Sequence, residues 1–186
     1  ISWQYPAVEF VTAVLFLYSF YLYYTAPGFD YLVAVRNWFI IAVLIVVFVY
    51  DLRWQLILDK VMLPSILVVT GLNLFLGVSW WVLVISAIIG GSFFFLQFLV
   101  SGGKWIGGGD IRLGIFMGAA LAQIPLLLFA LFSSYLVGSV VGITLIASRK
   151  KQWGSQVPLG VFLALGTILA LFWGDSLVTW YLDILG

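Results

Sequence analysis

The sequence predicts an all-α protein, a polytopic transmembrane helix bundle of about seven spans, or six if the fifth and sixth merge. Three observations carry that reading. Of 186 residues, 65% are hydrophobic and 8% are charged, whereas a soluble domain runs at about 45–50% apolar and about 25% charged. Several apolar stretches approach the ~20 residues that a bilayer crossing needs, which makes a bundle rather than a globular domain with one anchor. The basic residues, finally, sit in short connections instead of forming a patch, so the net charge of +1 carries no signal for nucleic acid. Residues 1–186 read as one membrane-embedded domain.

In chain order, the first apolar stretch, 6–24, stops before Pro27-Gly28. The second, 32–50, runs into the polar segment from Asp51 to Lys60. Gly77-Val78-Ser79 separates the third stretch, 61–77, from the fourth, 79–100, because glycine and serine punctuate periodic segments. A glycine cluster at 102–109 precedes the short fifth stretch, 111–123, which meets Pro125 and either ends there or joins the sixth, 125–147, as one kinked helix. The polar run Ser148 to Gln156 leads to the seventh, 157–174, and 175–186 reads as an interfacial tail. The chain opens Ile1-Ser2-Trp3-Gln4-Tyr5-Pro6 without an initiator Met or a basic n-region. No cleavable signal peptide is therefore expected, and the sequence reads as starting within a longer protein.

Charge sets the orientation. Arg53, Lys60, Lys104, Arg112, Arg149, Lys150 and Lys151 fall in or beside the connections after the second, fourth and sixth stretches, and only Arg36 lies elsewhere. Seven spans put these three connections on one face, which the positive-inside rule makes cytoplasmic. The opposite face receives Asp30, Asp175 and Asp183.

Composition narrows the chemistry. The chain has no cysteine and no histidine, which removes disulfides, thiolate nucleophiles, Ser-His and Cys-His catalysis and the usual zinc ligands; no metal site is expected. What is left is carboxylates, lysines, arginines and hydroxyls. Asp51 ends the second stretch and Asp110 begins the fifth, and a helical hairpin between them returns the chain to the same face. Carboxylates at the edge of the hydrocarbon are costly and face a cavity or a partner. Two that meet cannot both ionise, so they share a proton and can activate a water, the minimum of an aspartic peptidase. The helix dipoles predict that Asp110, at a helix N-terminus, is the ionised member and Asp51, at a C-terminus, the protonated one. Plainer roles exist for each: Asp110 as an N-cap, Asp51 as an interfacial charge paired with Arg53 or Lys60, Asp59 and Glu9 as solvated or structural groups. A Ser-Lys hydrolase built on Ser101 and Lys104 is a further option, and so is a small transporter or channel that uses intramembrane carboxylates for protons or cations.

Gly107-Gly108-Gly109-Asp110 matches the G-x-G-D signature of the membrane aspartyl proteases. Val49-Tyr50-Asp51-Leu52-Arg53 followed by Ile57-Leu58-Asp59 resembles the prepilin peptidase stretch of Asp, five residues, Ile-Pro and Asp or Asn, with Leu58 in place of Pro. Val157 to Gly166 is similar to that family's Pro-Phe-Gly-Pro-Phe-Leu-Ala-Leu-Gly segment, Leu159 and Val161 departing from it, and Ile1 to Glu9 resembles the junction after the cysteine-bearing region of bacterial members. The resemblance to prepilin peptidases thus covers nearly the whole chain. It implies a bacterial inner-membrane, multi-pass protease that cleaves the leader of type IV prepilin or pseudopilin precursors on the cytoplasmic side. It also implies that Asp51 and Asp110 form the catalytic pair, with Gly107, Gly108, Gly109, Asp59, Arg112, Pro158 and Gly160 holding the loop or the substrate. Proteolysis of this kind needs no cofactor. S-adenosylmethionine would serve N-methylation in a full-length protein, whose cysteine-bearing region the resemblance places outside these residues. Tyr50-Asp51, G-x-G-D and Pro158-Leu159 also echo presenilin-type intramembrane proteases, the alternative within the same signature.

Overall fold

A computed structural model describes residues 3–25, 30–148 and 157–185. The basic cluster Arg149-Lys150-Lys151 lies outside the described residues. The described residues form seven helices and no strand: α1 (Gln4–Tyr24), α2 (Tyr31–Trp54), α3 (Asp59–Phe75), α4 (Trp80–Ser101), α5 (Gly108–Leu121), α6 (Ile124–Ala147) and α7 (Leu159–Leu185).

Local chemistry fixes the boundaries. Asp30 caps α2 by accepting the Leu32 N–H at 2.8 Å, satisfying a donor the first turn leaves orphaned. Gln55, at φ 50°, ends the same helix in the left-handed region. Gly102 and Gly103, at φ 58° and 74°, end α4 where a side chain would be strained. Ala122, at φ 54°, and the extended Gln123 then break the chain between α5 and α6, with Pro125 in the first turn of α6. The fifth and sixth stretches therefore stay separate helices. The interfacial tail is revised in the opposite sense: 175–185 continues α7 without a break.

Five helices, α1, α2, α4, α6 and α7, are long and apolar enough to cross a membrane. The other two are shorter. At 14 residues, α5 reaches about 21 Å against a hydrocarbon thickness of about 30 Å, and it is lodged within the bundle instead. Its partner α4 approaches it closely because the seam is glycine: a Cβ on Gly90 would strike the Gly114 carbonyl, and one on Gly118 the Ser86 carbonyl. Small residues serve this purpose where lipid offers no hydrophobic drive between helices. α7 packs along α6 and α2, α3 against α5, and α1 against α2. Phe16 and Trp38 stack at 5.8 Å across the α1–α2 contact. Leu44, Met62, Leu113, Phe116, Met117 and Leu163 are fully buried at the centre.

Candidate active site

Asp51 is the last buried residue of α2, only 5% exposed although the residues after it are open to the surface. Its carboxylate does not pair with Arg53 or Lys60. Among the described residues the ion pair is Arg112 with Asp59, and Arg53 lies over the Trp54 ring, 5.5 Å from its centroid. Asp51 Oδ2 instead accepts the backbone N–H of Val161 at 3.1 Å. Val161 belongs to the first turn of α7, where N–H groups have no intrahelical partner and the dipole favours an anion.

Gly160 makes this approach possible. A Cβ at that position would stand 2.9 Å from Asp51 Oδ2 and 3.0 Å from its Cγ, so any side chain would push the carboxylate off the helix terminus. Pro158, half-buried, immediately precedes α7. Of the residues named from sequence, Gly160 is thus brought to Asp51 from the far end of the chain.

Asp110 stands in the first turn of α5, outside the five spanning helices. Its Oδ2 reaches back to accept the Gly107 N–H at 3.0 Å, the carboxylate half of a capping box. The plainer role as a helix-start residue is therefore real, and it leaves the other oxygen to other partners. Burial pushes the Asp110 carboxyl up to about 6, the Gly107 N–H opposes that rise, and the negative charge of Asp51 adds to it.

Ile57 joins the two halves of the site. It is buried, in the α2–α3 connection. The Cβ position of Gly109 lies 2.8 Å from Ile57 Cβ, and that of Gly160 lies 3.3 Å from Ile57 Cδ1. One side chain therefore touches the residue before Asp110 and the residue that cradles Asp51. Gly109 is required for its contact; Gly107 serves through its N–H; Gly108 is exposed, near Arg112. Arg112 Nη1 donates to Asp59 Oδ1 at 2.6 Å, tying the start of α3 to the first turns of α5. Both side chains are partly exposed, at 37% and 51%, so the pair is a modest tether of about 0–1 kcal/mol.

The dipole argument that gave Asp51 the proton is incomplete. It counted the C-terminus of α2 and left out the N-terminus of α7, which points at the same carboxylate and favours its charge. Ser101, the alternative nucleophile, is committed to backbone: its hydroxyl donates to the Phe98 carbonyl and accepts the Trp105 N–H, both at 3.3 Å. Sequence reasoning quoted Ile57 and Val161 within the matched segments but gave neither a role, and so missed Ile57 as the spacer and Val161 as the donor.

The profile of the type IV leader peptidase family matches residues 38–143. A prepilin leader peptidase/N-methyltransferase of Aeromonas hydrophila is 36% identical over 98% of this chain and 62% of its own length. The proteins of the same name from Legionella pneumophila and Bacillus subtilis (strain 168) are 29% and 30% identical, over 63% and 72% of their lengths. The chain thus spans less than two thirds of the first of these relatives. No solved structure matches.

Proposed function

The chain belongs to the type IV leader peptidase family, and from that premise we propose that it is a membrane aspartic endopeptidase, with Asp51 and Asp110 as its catalytic pair. Its substrates are type IV prepilin-like precursors of pili or type II secretion, cut at the cytoplasmic face of a bacterial inner membrane by one membrane-embedded peptidase domain. The observation that carries this reading is the buried Asp51 carboxylate, presented on the N-terminus of α7 in the electrostatic reach of Asp110.

The chemistry follows from the two environments. Neighbouring carboxylates in a site of low dielectric hold one proton between them. The ionised member takes a proton from water as that water attacks the scissile carbonyl, and the protonated member donates to the carbonyl oxygen. The Val161 N–H keeps Asp51 oriented through this exchange, and the Gly107 N–H does the same for Asp110. A precursor lying in the bilayer as an apolar helix would present its basic leader at the depth of these carboxylates. Asp59 is engaged by Arg112, so attraction of the leader falls to Asp51 and Asp110.

Proteolysis by this route uses no cofactor. The relatives' names include methyl transfer, for which S-adenosylmethionine is the donor. Two cavities among the described residues, about 530 and 230 Å³, are lined by aliphatic and aromatic side chains with no carboxylate or amide for a nucleoside, and no methyl-transfer step is assigned to them.

The test is direct. Purified protein in detergent cuts a prepilin to mature length, and Asp51→Asn and Asp110→Asn each abolish cutting while the thermal transition stays in place. Cutting by either variant would remove the pair from the mechanism, and ion flux into liposomes without proteolysis would favour a transporter.

A further inference from the structure

Arg36 is the one basic residue that charge patterning left unexplained, and it lies near the start of α2, at the opposite end of that helix from Asp51. A charged side chain at such a position is expensive and needs partners. Its hydrogen-bond partners are two asparagines. Arg36 Nε and Nη2 both donate to Asn37 Oδ1, at 3.0 and 2.8 Å, and Nη1 donates to Asn73 Oδ1 at 3.0 Å. Asn73, fully buried in α3, then donates its Nδ2 to the Ala119 carbonyl at 2.8 Å.

Ala119 is among the last four residues of α5, whose carbonyls have no N–H to receive within the helix. The nearby left-handed Ala122 takes the Gly118 carbonyl at 3.0 Å and no more. Ala119 is 1% exposed, so without Asn73 its carbonyl would be an unpaired acceptor away from water. One amide therefore satisfies the buried end of α5 and, through its other atom, an arginine on α2. These are the two helices that carry the aspartates, and they pack on each other chiefly through α3 and α7 rather than directly.

We propose that Asn73 is a positioning residue for the catalytic pair: by bridging Arg36 and the Ala119 carbonyl it sets the axial register of α5 against α2, and with it the separation of Asp110 from Asp51. Both helices are rigid rods, so a slip at the Asn73 end is transmitted along α5 from Ala119 to Asp110, about two and a half turns away. This rests on the aspartic reading above for its catalytic consequence, though not for the clamp itself.

The experiment separates the two. The chain has no cysteine, so Leu52→Cys on α2 and Gln123→Cys just past α5, both exposed, can carry spin labels without background. Asn73→Leu removes both hydrogen bonds; Asn73→Asp keeps the acceptor for Arg36 and loses the donor to Ala119. Both variants are expected to shift and broaden the label-to-label distance distribution. In the unlabelled protein, kcat on prepilin falls by as much as about 100-fold, the cost of roughly 1 Å of misplacement, with KM nearly unchanged. An unchanged distance distribution overturns the clamp, and a shifted distribution with wild-type kcat overturns the positioning role. If the parent protein fails to cut prepilin, the proposed function falls and the distances still decide the clamp. Should Asn73→Leu fail to fold, Arg36→Lys, a point charge that cannot hold both asparagine oxygens as the planar fork does, gives the same shift in smaller measure or refutes it.

Discussion

Asp51 and the backbone N–H that holds it are 110 residues apart in the chain, yet the contact depends on a single hydrogen atom at Gly160. A methyl group there would meet Oδ2 and Cγ of a buried carboxylate that is anchored on a helix terminus. Gly160→Ala is accordingly expected to lower kcat about 100-fold by displacing Asp51, on the scale that a misplacement of ~1 Å costs, while the melting temperature in detergent changes little. A variant with wild-type turnover would show that the carboxylate tolerates the shift. The acids themselves were legible from residue type and position, because a carboxylate at the end of an apolar run has few reasons to be there. Ile57 and Val161 were not, since an aliphatic side chain and a main-chain amide acquire a role only from what a distant segment sets against them.

At the scale of helices, α5 is the element on which the site turns. It is too short to span, it carries Asp110 in its first turn, and it is held along one side by the glycine seam of α4 and at its far end by Asn73. Gly118→Ala tests the seam. The added methyl would collide with the Ser86 backbone carbonyl, which cannot rotate aside, so the substitution should destabilise by about 1–3 kcal/mol, the usual cost of overpacking. Gly71→Ala is the control: a mid-helix glycine of α3 with nothing within 4 Å of the new Cβ, where the same change should stabilise by about 0.5–1 kcal/mol through helix propensity. Thermal melts of the two variants moving in the same direction would count against the seam. Helix number was readable because glycine, proline and polar punctuation is local chemistry. The break at Ala122 was not, because alanine carries no turn signal and the left-handed residue there is imposed by the packing of α5 and α6.

For the molecule as a whole, the open quantity is which face of the membrane holds the aspartates. Arg53, Lys60, Lys104 and Arg112, in the α2–α3 and α4–α5 connections or the helix ends beside them, lie on the side of Asp51 and Asp110, and the positive-inside rule makes that side cytoplasmic. A membrane-impermeant maleimide added to inverted vesicles should therefore label Lys104→Cys and leave Ser79→Cys, at the other end of α4, unlabelled; intact spheroplasts should give the reverse. Labelling of both from one side would overturn the topology and, with it, access of a cytoplasmic leader. The sequence by itself determined the solvent, the helical class, the chemistry left after cysteine and histidine are excluded, and the two carboxylates, since each follows from composition or from residues adjacent in the chain. Only the tertiary structure decided that α7 delivers an amide to Asp51, that Ile57 stands between the halves of the site, and that Asn73 and Arg36 fasten the far end of α5. Those contacts join segments many turns apart, and hydrogen bonds and van der Waals contacts of a few ångströms leave no mark on a sequence until folding brings the partners together.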